Sequence, residues 1–217
     1  GAREAVVVSL AGSVAGTGWA AGDTFTDIER LAGSRFGDWL EGDDGDNVLA
    51  GGGGDDTLLG GLGRDTLVGG TGADRLEGGG GIDRAGYGTA TAGVVASLAD
   101  PTANTGDAAG DTYLDIEGLV GSAWDDDLRG DAGANTLWGG QGDDTLTGGR
   151  GQDTLYGGAD ADAFVFASSL GTAHADRIAD FETGIDEIRL DDAVFATLAL
   201  GTRDAAALAA NAAGLVQ

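Results

Sequence analysis

The feature that most constrains this chain is a nine-residue period in residues 51–77. The segment reads GGGGDDTLL, GGLGRDTLV and GGTGADRLE, with glycine at positions 1, 2 and 4, aspartate at position 6 and leucine at position 8 of each unit. A fixed period of this kind indicates a solenoid, in which similar units stack along an axis. Because leucine is the only strongly apolar residue that recurs, one unit alone buries very little, and the units must stack to form a core.

Each position of the unit has a physical reason. The glycines permit positive φ and a close approach of the backbone, which a tight turn requires. A turn whose carbonyls point inward offers a site for a cation, and the position-6 aspartate supplies the negative charge. Positions 7–9 predict a very short strand whose middle residue faces the core while its neighbours face outward.

The period continues over eleven units in two blocks, six units in the first and five in the second. The blocks repeat at an offset of 88 residues, which also relates Asp27–Glu29 to Asp115–Glu117 in the segments that precede them. The first unit of each block is imperfect, with Phe36 or Trp124 where the fourth-position glycine is expected. The offset aligns Gly1 with Thr89, so we expect a further repeat block upstream.

The duplication predicts five regions. They are spacer strands that continue an upstream unit (1–32), block 1 (33–86), a second spacer (87–120), block 2 (121–165), and a C-terminal cap and tail (166–217). Outside the repeats, apolar and β-branched runs predict strands, and an alanine-rich run that starts with aspartate predicts a short helix. The strands are expected at Val6–Leu10, Thr24–Ala32, Phe164–Phe166, Arg177–Phe181 and Asp186–Leu190, and the helix at Asp204–Ala213.

Composition excludes several classes of function. The chain has 37 acidic residues against 11 basic residues, all of them arginine, and a net charge of −26, which repels nucleic acid and anionic membranes. No apolar run is long enough to span a membrane. A single histidine, His174, and the absence of cysteine leave no nucleophile–base pair or transition-metal set, so we predict no enzyme activity. Without disulfides, a cation is the available means of stabilising the fold.

The glycine-rich nonapeptide with aspartate at position 6 resembles the haemolysin-type (RTX) calcium-binding repeat of secreted bacterial proteins. The resemblance implies an all-β fold, a right-handed parallel β-roll (β-solenoid) in which two units form one coil and unit n stacks on unit n+2. It also implies calcium ions between stacked turns, bridged by position-6 side chains and completed by backbone carbonyls. Residues 176–190 (DRIADFETGIDEIRL) resemble the capping segment that ends many such domains.

Carried over to this sequence, the resemblance implies about seven Ca²⁺ sites within the blocks. The bridging pairs are Asp38/Asp56, Asn47/Asp65, Asp56/Asp74, Asp65/Asp83, Asp126/Asp144, Asn135/Asp153 and Asp144/Asp162. The turn glycines expected to contribute are Gly52, Gly54, Gly61, Gly63, Gly70, Gly72, Gly140, Gly142, Gly149 and Gly151. Further candidate ligands are Asp55 and Asp143 at position 5, and Asp176 and Asp180 near the cap. The sites of Asp38 and Asp126 are expected to be the weakest, because Phe36 and Trp124 cannot reproduce a glycine turn.

The same resemblance implies a secreted, extracellular or cell-surface module that supports type I secretion of a larger protein. In this family the secretion signal is C-terminal, which draws attention to Thr202–Gln217. The acidic loops repel one another where calcium is scarce, so we expect the chain to fold only when it binds calcium outside the cell.

A second functional class is a module that binds extracellular polysaccharide or itself, similar to the repeat modules of alginate epimerases. Trp138 and Tyr156 occupy the outward-facing position 9 and lie eighteen residues apart, so they should stack on adjacent coils. A cross-strand pair that stabilises the sheet and a platform for a sugar ring are both consistent with this spacing.

Overall fold

The computed structural model describes residues 4–167 and 175–191, which form eighteen β-strands and three short 3₁₀-helices. All the strand pairs within the sheets are parallel. Within each block, consecutive strands alternate between opposite sheets, so the chain winds as a flattened coil. The prediction of a parallel β-roll is confirmed.

The strands belong to three sheets. Sheet A contains β1 (Val7–Ser9), β3 (Trp39–Glu41), β5 (Thr57–Gly63), β7 (Arg75–Gly81) and β10 (Thr112–Leu114). Sheet B contains β2 (Arg30–Ala32), β4 (Val48–Gly53), β6 (Thr66–Thr71), β8 (Arg84–Gly86), β11 (Gly118–Val120), β13 (Thr136–Gln141), β15 (Thr154–Ala159) and β17 (Arg177–Ile178). Sheet C contains β9 (Val95–Ser97), β12 (Asp127–Arg129), β14 (Thr145–Thr147), β16 (Ala163–Phe166) and β18 (Glu187–Leu190). The 3₁₀-helices are Gly18–Ala20, Pro101–Ala103 and Gly106–Ala108.

The strand register follows the predicted coil of eighteen residues. Leu49 pairs with Leu67 in sheet B, and Leu58 pairs with Leu76 in sheet A. The position-8 side chains therefore lie directly above one another and form columns inside the roll. The column in sheet B runs without interruption through Leu31, Leu49, Leu67, Ala85, Leu119, Leu137, Leu155 and Ile178, all of them buried.

The second spacer divides one side of the roll and leaves the other side continuous. On the continuous side, β8 of block 1 pairs directly with β11, which pairs with β13 of block 2. On the divided side, the spacer supplies two edge strands. Strand β10 is the last strand of sheet A and pairs with β7, and β9 is the first strand of sheet C and pairs with β12. Residues 111–118 therefore form the junction at which the first block is joined to the second.

Several element boundaries differ from expectation. The run Thr24–Ala32 forms a strand only at Arg30–Ala32, because Asp27 adopts a left-handed conformation (φ 55°) that interrupts an extended chain. The cap strands are confirmed but shorter, at Arg177–Ile178 and Glu187–Leu190. His174 and the helix predicted at 204–213 lie outside the described residues. Over the described ranges, no helix has the length and apolar character needed to cross a membrane.

Candidate metal centres

The position-1 glycine of several units marks a point where two oxygen donors converge. A Cβ built on Gly60 would overlap the Asp65 carboxylate of the same unit, and it would lie 2.5 Å from the carbonyl oxygen of Gly78, two units later. Gly139 has the same relation to Asp144 and to the carbonyl oxygen of Gly157. The absence of a side chain at position 1 therefore lets the carboxylate of one unit approach the carbonyl of the unit stacked on it.

The structure brings together the members of all seven predicted pairs. In each pair, the backbone N–H of the first residue donates to Oδ1 of the residue eighteen positions later, at 2.6–3.0 Å. The direct contact in each pair is thus a hydrogen bond from a backbone N–H to a carboxylate. This bond fixes the side chain and uses Oδ1, while Oδ2 takes no part in it.

Seven of these carboxylates keep a buried Oδ2 that accepts no hydrogen bond. They are Asp56, Asp65, Asp74, Asp83, Asp144, Asp153 and Asp162, each no more than 2% exposed. An unpaired charge at such a depth is strongly unfavourable, so buried carboxylates are normally hydrogen-bonded, paired or bound to a metal. The seven oxygens therefore require a partner other than a protein donor.

The raised pKa values of the stacked aspartates also indicate that a positive partner is missing. Burial raises the pKa of Asp56 to about 7, and the nearby carboxylates of Asp74 and Asp38 add to the rise, which the N–H of Asp38 partly offsets. Burial likewise raises the pKa of Asp144 to about 8. The pKa values of Asp65 and Asp162 rise to about 6, again chiefly through burial. Without a cation, the buried stack therefore favours protonated carboxyls.

In the imperfect first unit of each block, the position-6 aspartate has different hydrogen-bond partners. Oδ1 of Asp38 accepts from the N–H of Val6 (2.7 Å) and from the Ser34 hydroxyl (3.2 Å), while its Oδ2 accepts from the Ser34 N–H. Asp126 has the matching bonds from Val94 and Ser122. Both oxygens of each carboxylate thus have protein donors, and the serine at position 2 replaces the glycine that opens the regular turn.

The two asparagines at position 6 are also satisfied within their own turns. Oδ1 of Asn47 accepts from the N–H of Asp43 at 2.7 Å, and Oδ1 of Asn135 accepts from the N–H of Asp131 at 2.8 Å. Asp43 and Asp131 in turn accept from Gly45 and Gly133, so they close a local turn rather than face the core of the stack.

The position-5 aspartates lie on the outside of the stack. Asp55 accepts from the N–H of Ala73, and Asp143 accepts from the N–H of Ala161, each at 3.0 Å across eighteen residues. Asp180 of the cap accepts from the N–H groups of Gly157 and Gly158. These three side chains bind the backbone of a neighbouring turn and remain candidate ligands rather than members of the buried set.

Four carboxylates outside the blocks complete the stacks at their C-terminal ends. Asp111 accepts from the N–H of Asp74 (2.9 Å), Glu117 from Asp83 (2.8 Å), Asp176 from Asp153 (3.1 Å) and Asp186 from Asp162 (3.1 Å). Only Asp176 was among the predicted residues. The sequence carried signals for the others, because Gly184–Asp186 repeats the Gly81–Asp83 triplet, and Asp111 and Glu117 lie in the segment duplicated at the 88-residue offset.

The glycines at positions 2 and 4 are required by stacking as well as by the turn. Gly70 has φ +102°, and a Cβ there would overlap the carbonyl oxygen of Gly52 in the unit below. Gly81 at position 4 has φ +146° and meets the carbonyl oxygen of Gly63 in the same way. Any side chain at these positions would push adjacent coils apart.

The donors at these points are oxygens: a buried carboxylate oxygen and, at Gly60 and Gly139, the backbone carbonyl of the unit stacked on it. Hard divalent cations with six to eight oxygen ligands, Ca²⁺ above all, suit such a set. Within the described ranges, no three His, Cys, Asp or Glu side chains converge on one point. Backbone carbonyls must therefore supply much of the coordination. A parallel β-roll with such turns is a cation-binding solenoid.

The comparison with known protein families agrees with this class. The family model of the RTX calcium-binding nonapeptide repeat, four copies long, matches residues 23–58, 32–67, 51–85, 120–155 and 138–166. These matches cover about half of the chain, and the chain belongs to this family of calcium-binding repeats. No curated protein sequence matches the chain.

Proposed function

We propose that this module binds about seven calcium ions, folds when it binds them outside the cell, and thereby supports secretion and stability of a larger protein. The observation that carries the proposal is the set of seven buried aspartate oxygens without a donor. Bound calcium would supply a positive partner for each of these seven oxygens. The role is structural, since the side chains that bind the ion are committed to the stack.

The magnitudes support folding that depends on the ion. Extracellular calcium modules bind at about 10⁻⁴–10⁻³ M, so millimolar calcium reaches up to about ten times the dissociation constant, and one site stabilises the folded state by up to about 1.4 kcal/mol. About four to seven coupled sites then match the roughly 5–15 kcal/mol by which domains are usually stable. At cytosolic calcium levels the net charge of −26 opposes compaction, which favours an extended chain suited to type I export.

Circular dichroism and sedimentation of the whole chain test this proposal. With a chelator at pH 7.5, the β signal should be lost and the chain should sediment as an expanded polymer, and millimolar calcium should restore both. Magnesium at the same concentration should restore little, because it demands a small octahedral site and retains its water. A chelated sample that keeps its full β signal would overturn the proposal.

A second candidate function is calcium-dependent attachment to a polysaccharide. The rings of Trp138 and Tyr156 are stacked, with centroids 5.7 Å apart and planes 9° apart, as their spacing predicted. The guanidinium of Arg84 lies 5.8 Å from the centroid of the Trp138 ring. It reaches the ring across Gly118, where a Cβ would come within 3.2 Å of the indole. An aromatic surface beside an arginine suits an acidic sugar.

Affinity electrophoresis in gels that contain alginate, an acidic polysaccharide, tests this candidate. Calcium-loaded protein should be retarded, and Trp138→Ala should abolish the retardation. Trp124→Ala is the matched control, because Trp124 is 52% exposed on a turn. Equal mobility of the wild-type protein with and without the polymer would leave the pair a purely structural cross-strand contact.

A further inference from the structure

The junction between the two blocks repeats the geometry of a repeat turn with residues that are not part of a repeat. Gly78, at position 1 of the last unit of block 1, faces the Asp83 carboxylate of its own unit, with Oδ2 2.7 Å from a built Cβ. In a regular stack the second donor would be the carbonyl of the glycine eighteen residues later. Here it is the carbonyl oxygen of Asp115, which a Cβ on Gly78 would overlap.

The backbone of Asp115 is held in an unusual conformation at this point. Its φ of +52° lies in the left-handed region, which residues with a side chain seldom adopt. Only two other described non-glycine residues share it, and one of them, Asp27, is the equivalent of Asp115 at the 88-residue offset. The conformation is thus a repeated feature of the fold, and at Asp115 it directs the carbonyl toward Gly78.

The carboxylate of Glu117 takes the place of the position-6 aspartate in the next unit. Its Oε2 accepts from the N–H of Asp83 at 2.8 Å, the bond that Oδ1 of a stacked aspartate makes elsewhere. Asp83 is 1% exposed, and its Oδ2 has no hydrogen-bond donor. In the described chain neither Asp83 nor Glu117 forms an ion pair with an arginine. Two negative charges therefore face each other with no positive partner.

We infer that the junction holds a calcium ion between Asp83 Oδ2, the Asp115 carbonyl and the Glu117 carboxylate. The inference rests on the proposed calcium binding and extends it from the repeat blocks to the spacer. A cleft of about 210 Å³, lined in part by Asp115, Glu117 and Asp131, lies alongside two of these three ligands. The ion would link the last unit of block 1 to the start of β11, the spacer strand that pairs with β13 of block 2, and so couple the folding of the two blocks.

Calcium titration of the full chain by calorimetry, with folding followed by circular dichroism, tests this site. Glu117→Gln removes one charge but keeps an acceptor for the Asp83 N–H, so the variant should fold in excess calcium. Its affinity for one calcium ion should fall by about tenfold or more, since ligand charge sets calcium affinity. Glu29→Gln is the matched control, because the exposed Glu29 occupies the equivalent position in the first spacer. It should bind calcium as the wild-type protein does.

Two further variants distinguish the ligands. Asp83→Asn should also weaken the binding of one ion, and Asp115→Asn should weaken it less, because Asp115 contributes its backbone carbonyl and asparagine tolerates the left-handed conformation. Wild-type protein that binds no calcium would refute the proposed function itself. A wild-type protein that binds calcium, with Glu117→Gln unchanged in both number and affinity of ions, would refute only the junction site.

Discussion

Replacing Leu67 by alanine measures how strongly the core and the calcium sites are coupled. Leu67 is fully buried in the sheet B column, between Leu49 and the already small Ala85. Burial of this kind makes leucine-to-alanine changes cost about 2–5 kcal/mol, depending on how far the cavity collapses. Parallel strands hold the coils at a fixed spacing of about 4.8 Å, so little collapse is available to lower this cost.

The cost should appear as a higher calcium concentration at the midpoint of folding. If seven ions bind in one folding transition, each ion offsets a seventh of the lost free energy, and the midpoint rises by about 1.6- to 3.4-fold. If a single ion controlled folding, the same loss would raise the midpoint by about 30-fold or more. The size of the shift therefore reports the number of ions coupled to the fold.

The assay is a calcium titration monitored by far-ultraviolet circular dichroism, with urea unfolding in saturating calcium as an independent measure of the free energy. Leu62→Ala is the control, because Leu62, near the end of β5, is 54% exposed. It should leave the midpoint within experimental scatter. Equal midpoints for the two variants would refute the role of the leucine column, and a shift above tenfold for Leu67→Ala would refute concerted binding of seven ions.

Three other predictions concern the turns. Because the folded-state pKa values of Asp56 (about 7) and Asp144 (about 8) exceed the unfolded value of about 4, the calcium-free folded state binds more protons, and its stability should fall from pH 5 to pH 8. Circular dichroism in chelator should therefore show more β signal at pH 5 than at pH 8, and an equal or greater signal at pH 8 would contradict it. Asp56→Asn should lose one calcium ion by calorimetry and Asp38→Asn none; an equal loss in both would show that Ser34 does not satisfy Asp38. Gly70→Ala should raise the calcium midpoint of folding, because the added methyl group overlaps the stacked carbonyl. Gly184→Ala should raise it less, because it adds only the left-handed strain of about 1–2 kcal/mol at φ +88°. Similar midpoints for the two variants would contradict the stacking requirement.

The sequence by itself determined the repeating part of the fold. A nine-residue period with one apolar position cannot form a core without stacking, so a stacked solenoid followed from the spacing. The resemblance to the RTX repeat added the coil of eighteen residues, and with it the leucine columns and the seven aligned pairs. The stacking of Trp138 on Tyr156 followed from the same period. These features depend on short-range geometry that recurs identically, which is the information a repeat carries.

Only the tertiary structure decided which position-6 oxygens lack a donor. The sequence gives Asp38 and Asp56 the same residue type at the same position, yet Ser34 and Val6 satisfy the first, while the second keeps a buried free oxygen. The residues that close the stacks, Asp111 and Glu117 among them, lie outside the period and reach their places through long-range pairing of the spacer. Hydrogen-bond satisfaction depends on every donor near an atom in space, and a pattern along the chain does not contain that information.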